Sequence, residues 1–256
     1  MSVARLILAL NAVVSMLVPA SAQWIKYPTP GIPRTPDGKP NLSAPAPKTL
    51  DGKPDFSGIW ATRRDTRFFQ DLSAGGVEIP MLPWAKALYE ERKKNEQRGH
   101  PSERCLGHGL ADFDTHQTPR RIVQSPGVIA ILFESYHQYR QILMDGRPLP
   151  EVGLPAYLGY SVGRWEGDTL VIETVGVNDK GWLDMNGHPQ TEKTHFTERL
   201  RRPTFGHIDV ELTIDDPSAY SRSWTVKLPG WEFLPDTDLI EAICENERDS
   251  SHLYNK

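Results

Sequence analysis

Cysteine is scarce in this chain. Only Cys105 and Cys244 occur in 256 residues, and neither has a CxxC neighbour. Thioredoxin-type chemistry and cysteine-rich zinc modules are therefore excluded. Beyond the first two dozen residues there is no long apolar run, so no helix is expected to span a membrane in the mature chain. Positive charge is not in excess either. Twenty-nine Lys and Arg face 33 Asp and Glu, a net charge of −4, which leaves no basic face for nucleic acid. Catalytic signatures are also missing. There is no Gly-x-Ser-x-Gly, Gly-rich phosphate loop, HExxH, EF-hand or His-x-His pattern. No cofactor and no metal is expected.

Proline is abundant, with 22 residues concentrated towards the N-terminus. Residues 1–22 place Arg5 before the apolar stretch LILALNAVVSMLV and end in Pro-Ala-Ser-Ala. This is the pattern of a secretory signal peptide cleaved near Ala22, which predicts a secreted or periplasmic protein. In such a compartment Cys105 and Cys244 are expected to pair as a disulfide, two buried free thiols being the alternative. Residues 23–54 form a Pro-rich arm, expected to be extended and weakly held. Within it Asp37-Gly-Lys-Pro-Asn-Leu-Ser43 is echoed by Asp51-Gly-Lys-Pro-Asp-Phe-Ser57. Two copies are too few for a repeat array and predict two similar turns.

Residues 55–256 read as one β domain. The strongest strand signal is TLVIETV at 169–175, entered through the turn residues Glu166-Gly167-Asp168. Further strands are predicted at 121–124, 128–134, 139–144, 194–202, 207–214, 221–228 and 239–245. One helix is predicted at 83–98, opened by Pro83 and closed by Gly99 and Pro101. Residues 104–119 are predicted as loop. Nine or ten short strands with one amphipathic helix describe a single antiparallel β-barrel or a sandwich.

Long strings of the chain resemble a widespread group of secreted bacterial proteins without an established activity. They are GRWEGDTLVIET, VNDKGWLD, GHPQTEKTHFTERLRRPTFG and VELTIDDPSAYSRSWTV, with the 145–148 Asp-Gly-Arg-Pro and the tail from Cys244 to Asp249. The resemblance implies export and supplies no chemistry. It also implies Gly-His-Pro-His where this chain has Gly187-His188-Pro189-Gln190. More coarsely, Gly58-Ile59-Trp60 at the first strand resembles calycin and lipocalin barrels, which implies a closed barrel.

Strand parity singles out Glu198. It alternates with Phe196 and Leu200, so it is expected on the apolar face, where a lone carboxylate is costly. It is either an acid/base group with a raised pKa or the partner of an Arg such as Arg140. Glu173 interrupts TLVIETV, whose two faces both look buried, and would complete a pair of carboxylates across one cavity. His195 and Arg140 would assist. Trp165, Tyr160 and Trp182 are candidate pocket aromatics. Asp179, Asp184 and His188 are candidate ligand-binding residues of the loop after 175; with Glu192 and His195 they also offer oxygen and imidazole donors. The expected function is binding of a small organic ligand inside the barrel. The alternatives are a hydrolase, lyase or isomerase using Glu198 and Glu173, and an envelope interaction protein using the arm.

Overall fold

The computed structural model describes residues 28–151, 154–240, 242 and 244. The expected signal peptide lies outside them. The described residues form nine strands: β1 Gly58–Ala61, β2 Arg120–Ser125, β3 Val128–Phe133, β4 Tyr139–Leu143, β5 Tyr160–Glu166, β6 Thr169–Val175, β7 His195–Thr204, β8 His207–Asp215 and β9 Trp224–Phe233. They close into a barrel in sequence order, with β9 returning to β1. A sandwich is excluded by that closure. Among the described residues no helix is long and apolar enough to cross a membrane.

The alternation legible in the sequence sets the two faces. Phe196, Glu198 and Leu200 of β7 and Ile208, Val210, Leu212 and Ile214 of β8 are buried. Seven pairs of strands consecutive in the chain are antiparallel neighbours, and the closing β1–β9 pair is antiparallel as well. The exception is β4–β5. It is parallel and joined by only two residue pairs, Ile142 with Ser161 and Leu143 with Val162. A parallel neighbour needs a connection that returns the length of the barrel, and residues 144–159, with Pro148, Pro150 and Pro155, supply it.

Three helices lie among the strands: α1 Arg67–Gln70, α2 Pro83–Lys94 and α3 Leu110–Thr115. Helix α2 is shorter than expected. Glu96 and Gln97 turn away with φ of 55° and 68°, so the charged tail leaves the helix before Gly99. Residues 104–119 are not simply loop, because α3 forms within them and every one of its residues is buried. The strand expected at 221–228 runs from Trp224 to Phe233. Leu239 and Ile240 belong to no strand, and residues 241, 243 and 245 of that expected strand lie outside the described residues.

Trp60, Trp231, Phe113 and Phe196 fill the barrel together with the aliphatic faces of β2, β3, β6 and β8. Trp60 donates its indole N–H to the Phe56 carbonyl at 2.9 Å and meets Phe233 edge-on. Gly58 at φ 130° lets β1 enter beneath that ring; a Cβ there would lie 2.4 Å from Phe233. The arm is held more firmly than its composition suggests. Phe205 and Gly206 donate backbone N–H bonds to Ala44 and Leu42, Phe56 is fully buried, and Arg34 pairs with Asp236. The two Asp-Gly-Lys-Pro turns have the same bonds: Thr35 and Thr49 each donate to the Lys carbonyl four residues on, at 2.8 Å. Cys105 and Cys244 stand at disulfide-bonding distance, with Cα atoms 5.6 Å apart.

Candidate functional site

The short parallel join between β4 and β5 is reinforced by side chains. Four successive strands each turn one polar residue inward: Arg140 from β4, Ser161 from β5, Thr174 from β6 and Glu198 from β7. Arg140 Nε donates to Ser161 Oγ at 3.0 Å, and Nη2 donates to Thr174 Oγ1 at 2.8 Å. Nη1 donates to Glu198 Oε1 at 2.8 Å, and Nη2 also reaches Glu198 Oε2, completing a two-pronged ion pair. Ser161 and Thr174 bond each other at 2.9 Å. Burial would lower the Arg140 pKa, but Glu198 outweighs it and raises it, so the guanidinium stays charged. This belt spans the β4–β5 seam and two strands beyond it.

A cavity of about 430 Å³ opens in the barrel wall over the seam. Tyr139, Tyr157 and Tyr160 supply aromatic faces and hydroxyls, Leu143 and Leu158 apolar surface, and Gln138 and Gln141 amides. Arg140 and Ser161 line the same cavity, so the belt begins at its floor. Arg147, outside, donates to the Tyr160 hydroxyl at 3.2 Å.

Helix α3 brings a second set of polar groups into the interior. Asp114 accepts bonds at its backbone carbonyl from Trp231 Nε1 at 2.9 Å and Thr62 Oγ1 at 3.0 Å. Burial first, and then the negative charge of Glu198, push its carboxyl well above the ordinary range. Its Oδ2 has no hydrogen-bond partner. Arg120 is fully buried, lies over Trp231 at 4.7 Å, and has its pKa lowered by burial to about 10.

The residues expected to form one catalytic group are divided between the two faces of the wall. Glu198 and Arg140 face inward. Glu173 and His195 face outward, because Glu173 pairs in register with Thr197 and not with Glu198. Glu173 bonds Arg164 and lies 3.7 Å from His195 Nε2. The two carboxylates therefore do not share a cavity, which corrects the expected paired arrangement. The expected pocket residues also scatter. Tyr160 lines the seam cavity, whereas Trp165 packs on Phe56 and the arm. Trp182 is buried beneath Arg92, 4.1 Å from its ring. Asp179 lies on a different cavity of about 400 Å³ beside α2.

Asp184 and His188 are occupied structurally. Asp184 accepts from the Leu72 amide at 2.8 Å, the Gly187 and His188 amides at 2.9 and 3.2 Å, and His188 Nδ1 at 2.6 Å. The His188 ring stacks on Tyr89 at 4.1 Å. These contacts tie the loop after β6 to α2. Gln190 donates to the Asn178 carbonyl at 2.7 Å and packs against Gly109 and Gly181, a structural place for the residue that departs from Gly-His-Pro-His.

Sequence reading did not find Ser161, Thr174, Tyr139, Tyr157 or Asp114. Ser161 and Thr174 carry a usable signal, since each is a small polar residue on a strand face whose other members are apolar or glycine: Gly163 and Trp165 with Ser161, Leu170 and Ile172 with Thr174. Tyr157 and Gln138 lie in connections, where no periodicity exists to orient them.

No family model, curated protein or solved structure matches the chain.

Proposed function

We propose that this protein binds a small organic ligand at the seam between β4 and β5. The observation carrying this reading is the cavity over the two-pair parallel join, with the buried Arg140 and Ser161 at its floor. Its volume is that of a small-molecule site, and it combines apolar walls with a few convergent polar groups. The barrel axis itself is filled by side chains, so the ligand belongs in the wall and not along the axis. Three tyrosines beside apolar and amide side chains suit a ring-bearing molecule with hydrogen-bonding substituents. An exported protein in an oxidising compartment accords with the paired cysteines.

The test is a thermal-shift screen of the exported protein against small ring-bearing acids and polyols, since a ligand that binds the folded form raises Tm by mass action. Tyr139→Ala and Tyr157→Ala should each weaken a hit by at least about fivefold, roughly 1 kcal/mol. A hit whose affinity neither change alters would place binding elsewhere. A screen without a hit would count against the reading itself.

A further inference from the structure

A cluster that plays no part in the seam lies where α3 begins. His100, His108 and Asp112 each offer one ligand atom, and these atoms lie within 4.8 Å of one another. All three side chains are at least 98% buried. His100 Nε2 lies 3.3 Å from Asp112 Oδ2, and His108 Nδ1 bonds the same oxygen. We propose that these three residues bind one divalent transition-metal ion of the zinc type.

Unsatisfied atoms carry the argument. His108 Nε2 and Asp112 Oδ1 are buried without a hydrogen-bond partner, and His100 Nε2 has only the Asp112 oxygen at 3.3 Å. Buried polar atoms are rarely left so, and such atoms in one cluster point to a missing partner that accepts lone pairs. The other ring nitrogen of His100, Nδ1, is 2.7 Å from Ser102 Oγ and 3.2 Å from the Ser102 amide nitrogen, whose N–H it accepts, and these contacts fix the ring. A metal-bound imidazole is commonly oriented by contacts at its second nitrogen. The surroundings are aromatic: Asp112 sits among Phe113, Trp182 and Tyr136, reached through the His100 and His108 rings. An ionised carboxylate buried in such a place is held by partners such as these two histidines or coordinates a metal.

The donor set selects the ion. Two imidazoles and one carboxylate suit Zn²⁺ and its neighbours, whereas Ca²⁺ and Mg²⁺ need oxygen cages. Three protein ligands leave a fourth position for water. The other group of this kind among the described residues, Asp71, Asp184 and His188, is a poorer site because four donors already occupy Asp184. Local chain geometry supports the first cluster. His108 precedes α3 and Asp112 lies in its first turn, an i, i+4 pair. His100 is the N-cap of a short 3-10 turn that ends at Arg104, beside Cys105.

The experiment uses the exported, untagged protein, stripped with chelator and titrated with Zn²⁺ and with Co²⁺. The expected result is one equivalent bound, the strong visible absorption of a low-coordinate Co²⁺ centre, and a rise in Tm. His100→Gln should weaken binding by at least about tenfold, while the exposed His137→Asn leaves it unchanged. If His100→Gln does not fold, Ser102→Ala, which removes only the orienting hydroxyl, should still reduce affinity several-fold. The inference is overturned if the parent takes up no stoichiometric metal. Equal loss in the His137 and His100 variants, or none in either Ser102→Ala or His100→Gln, would equally assign any uptake to the surface and overturn it. Ligand binding at the seam is unaffected by either outcome.

Discussion

Arg140 and Glu198 are the most consequential pair of residues in the barrel. Each is buried, and each takes its charge from solvent only because the other is in reach. Removing one charge leaves its partner uncompensated in a low-dielectric interior. Glu198→Gln should therefore cost about 3–5 kcal/mol, measured as a lower urea midpoint with an unchanged slope. The double variant Arg140→Met with Glu198→Leu should recover most of that loss, because no lone charge remains. Glu198 was legible because Phe196 and Leu200 flank it at period two. Glu173 was not, because Val171 on its own outward face is also buried, so the apolar pattern of β6 has no direction. Acid sensitivity belongs to another residue. Burial alone would raise the Asp71 pKa, but bonds from Ser73, Tyr89 and Asn186 hold it at about 2. A depressed carboxyl stabilises the fold above its unfolded pKa, and that stability is lost as pH falls from about 4 towards 2. Asp71 is partly solvated, so the loss should be on the order of 1 kcal/mol. Asp71→Asn should flatten the acid limb of a Tm-against-pH profile in that window.

At the scale of elements, the decisive pieces are short. Gly58 opens β1 at a φ that side chains avoid, directly under the Phe233 ring. Gly58→Ala should cost about 1–3 kcal/mol in strain and displaced packing, read as a lower Tm with the β-sheet circular dichroism retained. The Gly-x-Trp signal thus located a real constraint. Helix α3 left no such trace. LADFDT is six residues long with two acids, too short for helical periodicity, and it is buried on every side by elements remote in sequence. The arm misled in the opposite direction. Its prolines lack amide donors, yet Leu42 and Ala44 offer carbonyls that the amides of Phe205 and Gly206 require. Limited proteolysis should therefore spare residues 42–56 in the folded protein, and a first cut there would contradict the docking seen.

For the whole molecule, the number of strands followed from the spacing of apolar runs and turns, but that spacing left barrel and sandwich equally open, and closure was implied only by the Gly-x-Trp resemblance. The parallel seam did not follow, because Arg147-Pro-Leu-Pro marks a departure from β4 without saying which way β5 will run. The cysteines act at this scale as well. Joining Cys105 to Cys244 closes a loop with a sequence separation of 139. The folded protein, made under oxidising conditions, should contain no alkylatable thiol without reductant, and reduction should lower stability by about 3–5 kcal/mol if the chain-entropy account holds. Two free thiols in folded material, found by mass spectrometry, would contradict it.

The strand order also has a consequence in time. From β5 onward each strand meets the next through a connection local in sequence, so β5 to β9 can assemble by successive hairpins as soon as the chain is available. The closing pair is different, since Trp60 must find Phe233 at the far end of the domain. Contacts so distant carry the largest loop-closure cost and slow folding most. β1 should therefore be the last strand to acquire both neighbours. In pulse-labelling hydrogen exchange during refolding, amides of β7 and β8 should gain protection before those of β1. Synthesis from the N-terminus reverses that order: the first strand made waits for the last, and until β9 arrives the nascent barrel carries an open edge.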